Sequence, residues 1–563
     1  MFDKAFNLLD EPWIRVVRPD AAEEEVSLTD ALLGAHAYAD LAGELPTQDV
    51  AVLRLLLAVL HTVFSRVDCR GQEAPLTSTS GALRRWSELW RLGHFPEEPL
   101  RAYLAAWHER FWLFHPERPF YQVNEAAIGT PSGACKLNGE ISQSGNKERL
   151  FSVRSGAQKE RLSYAEAARW LLYVNGFDDK SLKPKTGKND DDAKEKHSEE
   201  GKSSADFGWL GKLGLITAVG RNLFETLMLN LVLLPDRKPW PEPEQPCWEL
   251  ERPRTGERVC VAMPRNAAGL LTLQSRRILL QREGDAVTKY RVLVGDQFPE
   301  EDALFEQMTI WTEKLDKQKN HLYYKPKRND IPRQMWRDFA AIAAKGEGRI
   351  QPGVVNWVPY LRRATKCEGL EWVTFRTVSV KYGNQDSCVD NIFQDSLTFH
   401  AELLQEIGSI GYSMVESEIC QIDRAAKCIG TLVYELFLAS GWIGDSRTKQ
   451  KRGRIRKNRS IEQFYDIVDA PFRQWMASLN PEDGYDTLLM RQVEWRRMMR
   501  SMLMEMKTRL VEEAGNRAFI GRKVKEKNEI ESKEMTLYCA PKAVNHFMRA
   551  INKLFPLNQE TGE

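Results

Sequence analysis

Residues Thr487–Ala514 read TLLMRQVEWRRMMRSMLMEMKTRLVEEA, an uninterrupted amphipathic pattern that sets the fold class of the C-terminal third. Met490, Met498, Met499, Met502, Met504 and Met506 form a stripe within it, which reads as adaptable core rather than a cofactor site. Similar patterns cover Val389–Ile410, Gln421–Ser440, Ile461–Leu479 and Pro541–Leu554. Helices of this length joined by Gly- and Pro-containing turns predict an antiparallel bundle of four or five helices over residues 388–563.

Upstream the character is mixed, so the fold class is α+β, with a large irregular N-terminal α/β domain at 1–387. Trp13–Val17, Pro119–Val123, Arg276–Gln281, Thr288–Val294 and Trp372–Val380 read as strands. Val50–Val67, Ala82–Arg91, Tyr103–Leu113, Tyr164–Val174, Phe224–Leu234 and Arg333–Ala344 read as helices. Residues 180–206, KSLKPKTGKNDDDAKEKHSEEGKSSAD, contain almost nothing to bury and predict a solvent-exposed, mobile charged loop.

The chain has 563 residues, 42% of them hydrophobic, enough for more than one core. Lys+Arg number 80 and Asp+Glu 79, which excludes a uniformly basic nucleic-acid coat but not a locally basic face. Nine scattered cysteines without a CxxC pair read as reduced thiols of a cytoplasmic protein. The run Val50–Val67 carries Arg54, His61 and Arg66 and reads as a buried core helix, so no membrane association is expected. The opening MFDKAFNLLDEPWIRVV lacks the pattern of a signal peptide.

Motifs for catalysis are scarce. No HExxH, HxH or Cys/His spacing suits zinc, and there is no GxxxxGK[ST] loop, so neither a metal nor a cofactor is expected. Gly208-Trp-Leu-Gly211-Lys-Leu-Gly214 lacks the spacing of a phosphate loop. The acidic clusters Asp190–Asp192 and Glu300–Asp302 read as solvated charge. One feature stands apart. Arg447, Lys449, Lys451, Arg452, Arg454, Arg456, Lys457 and Arg459 fall within thirteen residues without an acid, between two predicted helices. Such a basic loop is either a solvated connector or a contact for a polyanion.

The opening Phe6-Asn7-Leu8-Leu9-Asp10-Glu11-Pro12-Trp13-Ile14-Arg15-Val16 resembles the N-terminal signature of the CasA family, large subunits of the type I-E CRISPR surveillance complex Cascade. Phe114-His115-Pro116-Glu117-Arg118-Pro119-Phe120-Tyr121-Gln122-Val123 is similar to the family's next most distinctive block. Leu150–Arg154 with Ala165–Leu172, Gly208–Gly214 with Leu223–Asn230, Gln274–Arg277, and Tyr382–Ser387 follow in family order. The resemblance implies a non-catalytic protein that works in antiviral defence. Its expected partners are the other Cascade subunits, the 5′ handle of the guide RNA, duplex target DNA bearing a protospacer-adjacent motif (PAM), and a helicase-nuclease.

Three elements carry over from the resemblance. Phe151, Ser152, Val153 and Arg154 match the loop that contacts the guide handle, where a Phe beside an Arg suits stacking and phosphate pairing. Gly201, Lys202 and Ser203, with Lys289, stand where the family places a minor-groove glycine loop and a groove-probing lysine. Asn384, Gln385, Asp386 and Ser387 match the family's glutamine wedge; from spacing alone the same residues read as a polar turn with an N-cap. Two competing readings are a nuclease of the same defence pathway and a pure protein scaffold.

Overall fold

The structure, a computed structural model, describes residues 3–140, 153–184, 202–204, 206–259, 262–318, 320–328, 333–343, 350–383, 386, 388–404, 410–441, 446–525 and 535–556. Helix and strand are mixed throughout, and the strands form several small two- and three-stranded sheets. The chain divides into two compact units, Met1–Met335 with Ala341–Leu397, and Trp336–Ala340 with Thr398–Glu563.

In the first unit, helix Pro46–Arg66 is the core element. It is long and apolar enough to cross a membrane by length and composition, yet 94% of its most apolar window is buried inside the protein. Its Arg54 is fully enclosed and is neutralised by Glu306 through two bonds of 2.9 and 3.0 Å. A charge in such a place is tolerated only when paired.

The sequence blocks converge on this unit. Strand Ala5–Asn7 pairs antiparallel with Trp112–Phe114, so the opening block and the His115–Val123 block are neighbours. Arg169, from the Ala165–Leu172 block, is buried and donates to the Trp13 carbonyl at 2.6 Å and to Glu25 at 2.7 Å. Gln122 donates to the Leu113 carbonyl and accepts from the Leu280 amide, tying the second block to the hairpin of Arg276–Glu283 and Ala286–Val294. Pro119–Val123 is not a strand. It turns, with the Gln122 amide on the Pro119 carbonyl and Tyr121 at φ 56°. Among the helical readings, Tyr103–Leu113 is displaced to Glu97–Trp107, Phe224–Leu234 shortens to Leu223–Asn230, and Arg333–Ala344 is replaced by a 3-10 turn at Met335–Asp338 and the short helix Phe339–Ala343.

The segment Val389–Ile410 corrects a second expectation. It contains strand Val389–His400, which joins Trp372–Tyr382 and Leu215–Val219 in one sheet. Val389, Ile392 and Phe393 follow a helical spacing only at the start. Further on, buried Leu397 and Phe399 alternate with exposed Ser396 and Thr398, and pairing with the adjacent strand decides the outcome. The first compact unit ends at Leu397, within this strand.

In the second unit, helices Ile410–Ser440, Ser446–Ser478, Tyr485–Ala514 and Ala540–Leu554 pack on one another. A Cβ at Gly453 would touch Phe437 at 3.2 Å, and one at Gly430 would lie 2.8 Å from Ile461, so the first two helices run antiparallel at close approach. Trp475 stacks on Trp495 and donates to the Arg491 carbonyl, joining the second and third. Buried Glu418 accepts from Gln492 at 2.6 Å and Arg496 at 2.8 Å, joining the first and third. The methionine stripe splits. Met499 and Met506 are core, whereas Met490 and Met498 are exposed.

Candidate nucleic-acid interface

Part of the charged segment is organised by its ends. Leu182–Pro184 pairs antiparallel with Lys202–Ser204, with Lys183 opposite Ser203, forming the base of a hairpin. Lys183 is buried there, against the expectation of a wholly solvated loop, with its ammonium 2.9 Å from Asp178 and 3.3 Å from Asp179. Arg276 of the QSRR block, also buried, binds Asp178 and donates to the carbonyls of Asp179 at 3.0 Å and Asp206 at 2.7 Å. It thereby clamps both flanks of the segment. Burial alone would raise the Asp178 carboxyl, but the Lys183 ammonium and Arg276 guanidinium outweigh it and hold its pKa at about 2.

Beside this base lies the end of the Trp372–Tyr382/Val389–His400 hairpin. The Gly383 amide donates to the Cys388 carbonyl and the Asp386 amide to the Gly383 carbonyl, at 2.8 and 2.9 Å, and Asp386 sits in the left-handed region at φ 55°. The Lys180 amide donates to the Asp386 carbonyl at 3.0 Å. Its ammonium is 3.3 Å from Asp206, 4.0 Å from Asp386 and 4.4 Å from the Phe207 ring centre. Phe207 in turn stacks on Tyr382 at 4.0 Å, and the Tyr382 hydroxyl donates to the Phe177 carbonyl at 2.8 Å.

The glycines of Gly208–Gly214 serve this packing. The Gly208 amide donates to the Asp178 carbonyl, and a Cβ at Gly208 would collide with the Gly176 carbonyl. Only glycine allows the two backbones to meet.

Two sequence-predicted elements are thus brought together, the segment around 202–203 and the turn containing Asp386. Gly201, Asn384, Gln385 and Ser387 lie outside the described residues, as do Phe151 and Ser152. Lys289 is exposed on strand Ala286–Val294, which packs beside Leu182–Pro184, and its ammonium is 3.6 Å from Glu283. Arg154 binds Glu166, the capping-box acid of helix Tyr164–Phe177, and donates to the Arg161 carbonyl at 3.3 Å, while Val153 is exposed. Sequence reasoning misses Lys180, Phe207 and Arg328. Phe207 stands one residue before the Gly208 block and Tyr382 opens the YGNQDS block, the one signal that could have drawn attention to that ring pair.

The basic run is not a connector. It forms the first turns of the single helix Ser446–Ser478, which also includes Arg447 and Lys449. Arg and Lys are good helix formers, and the rise of 1.5 Å per residue spreads their charges along and around the axis. Gly453 and Ser460 face inward, while Lys451, Arg452, Arg454 and Arg459 are exposed and Arg456 and Lys457 are partly so. Arg456 is 3.8 Å from Glu513. Among the described residues, no group of three or more His, Cys, Asp or Glu side chains is placed to hold a metal.

By class this is a two-unit, mixed helix–strand protein. The family model for CRISPR-associated protein Cse1 matches residues 7–506. A curated CasA/Cse1 protein of Thermus thermophilus is 32% identical over 508 residues, covering 89% of this chain and 91% of that one. The crystal structure of Thermobifida fusca Cse1 has a TM-score of 0.80 at 26% identity, covering 99% of each chain. That of Cse1 from Acidimicrobium ferrooxidans has a TM-score of 0.76 at 25% identity, covering 98% of each. A chain described as part of a CRISPR RNA-guided surveillance complex shares the fold, with a TM-score of 0.64 at 19% identity over 98% of this chain and 100% of that one. The protein belongs to the CRISPR-associated Cse1 (CasA) family.

Proposed function

We propose that the protein is the non-catalytic DNA-binding subunit of a type I-E Cascade, acting in the cytoplasm with the other Cascade subunits. In this reading it recognises the PAM in duplex DNA, starts strand separation beside it, and recruits the helicase-nuclease. The observation that carries the reading is the junction at Lys180, where the base of the Leu182–Ser204 hairpin meets the turn containing Asp386.

Duplex lying along Gly201, Lys202, Ser203 and Lys289 would present its minor groove, whose degenerate pattern admits several motifs, to backbone and lysine. The first target base pairs would then face Asn384–Ser387, with Gln385 the side chain that enters the stack. Opening that step costs a few kcal/mol, offset by new interactions of the opened strands. The Ser446–Ser478 helix, in an antiparallel four-helix bundle of the C-terminal unit, supplies phosphate contacts that position DNA without reading it. Phe151–Arg154 engages the 5′ handle of the guide RNA. After these steps base pairing reads the sequence, as in other RNA-guided effectors.

The test is a guide-loaded complex reconstituted with and without this chain. Duplex with a PAM should be bound and unwound only when the chain is present. Cleavage of DNA by the purified chain with Mg²⁺ or Mn²⁺ would instead favour a nuclease. PAM-independent binding of unchanged strength without the chain would leave it a scaffold.

A further inference from the structure

Arg328 is exposed two residues beyond strand His321–Pro326, and its guanidinium lies 5.1 Å from the Phe207 ring centre and 5.9 Å from that of Tyr382. Those two rings are themselves buried and stacked 4.0 Å apart, so the platform beneath it is rigid. Cations near by are paired with carboxylates: Lys180 with Asp206 and Asp386, Lys183 with Asp178 and Asp179, Lys212 with Asp206, and Arg276 with Asp178. Among the described residues no carboxylate pairs with Arg328. Around one aromatic stack the protein therefore presents a surface guanidinium whose charge is not neutralised by a described neighbour.

A guanidinium resting on aromatic faces keeps its in-plane N–H groups directed outward, in the fork that matches two phosphate oxygens. Tyr382 immediately precedes the turn, and Asp386 is four residues on, at most roughly 14 Å of extended chain. That is about four nucleotide steps along one DNA strand. A phosphate held at Arg328 would therefore belong to the same short stretch of duplex that meets the turn.

We propose that Arg328 is a DNA phosphate contact, preorganised by Phe207 and Tyr382, that positions the duplex against the turn containing Asp386. The inference rests on the DNA-binding function proposed above. It is a positioning contact, so it adds affinity for every sequence equally.

The experiment measures affinity for PAM-containing and PAM-less duplex over a salt series, using the complete guide-loaded complex with wild-type, Arg328→Ala or Arg328→Lys protein. Arg328→Ala should weaken both duplexes about tenfold and make the log–log salt slope shallower by about 0.9. Arg328→Lys should restore the slope but not the full affinity, because it keeps the charge and lacks the fork and the stack. Melting temperatures should match wild type. An unchanged slope, a loss confined to PAM-bearing duplex, or a loss that tracks a lowered melting temperature overturns the assignment. If wild-type complex itself fails to bind duplex, the proposed function fails; if wild type binds and Arg328→Ala binds equally, only the Arg328 assignment does.

Discussion

The backbone amide of Lys180 donates to the carbonyl of Asp386 at 3.0 Å. This bond joins the flank of the charged segment to a turn far along the chain. A main-chain bond is indifferent to side-chain replacement, so the junction persists while the turn's side chains are tested individually.

Gln385→Ala is expected to leave stability nearly unchanged while slowing unwinding of fully paired target DNA. A wedge must be long and must offer both donor and acceptor to exposed base edges, as glutamine does. Unwinding rates on DNA already mismatched over the first target positions are the control. Rescue there supports the wedge, and an equal defect on both substrates assigns Gln385 to the turn or to a plain PAM contact.

Phe151→Ala combined with Arg154→Ala should release the protein from the guide-loaded complex without unfolding it. The variant removes the bonds of Arg154 to Glu166 and Arg161, costing about 1 kcal/mol of stability. Co-purification at wild-type stoichiometry and salt resistance would remove these residues from handle binding.

Replacing Arg452, Arg454, Arg456 and Lys457 with Gln should weaken binding to all DNA sequences alike. The salt slope should become shallower by about 0.9 for each phosphate no longer neutralised. Gln has a helix propensity close to that of Arg and Lys, so circular dichroism should be unchanged. Loss of PAM discrimination with affinity intact is the outcome that excludes a backbone-contact role.

Asp178 sets an acid limit on stability. Its carboxyl is held at about 2, below the ordinary value of 3.8, so the unfolded chain takes up the proton first as pH falls. The stabilisation is fully present above about pH 4 and is lost as pH falls toward 2. It amounts to about 2 kcal/mol. Asp178→Asn should flatten this part of the stability–pH curve in denaturant titrations. It should also destabilise the protein at pH 7 by about 3 kcal/mol or more, since Lys183 and Arg276 remain buried. A wild-type curve with no acid-limb slope beyond that of the variant would contradict the ion cluster.

Helices of the second unit were legible because their signal is local. Twenty or more residues repeating an apolar face, as in Thr487–Ala514, need no knowledge of the partner to be read as helix. The split of the methionines into core and surface was not legible, because the neighbouring helices alone determine which of them are covered. The basic run defeated the pattern from the other side. It lacks the apolar stripe that marks a helix, and only Gly453 and Ser460 reveal, once Phe437 and the adjoining helix are in place, which face turns inward.

By itself the sequence determined the mixed fold class and the buried nature of Pro46–Arg66. These depend on composition and short-range spacing. Only the tertiary structure decided that Val389–His400 is a strand, that Lys183 is a buried partner of Asp178 rather than a solvated loop charge, that Lys180 meets Asp386, and that Arg328 rests beside Tyr382. Strand pairing, ion-pair burial and aromatic stacking are all settled by residues distant in the chain. Their free energies arise only when folding excludes water between groups that no sequence window contains.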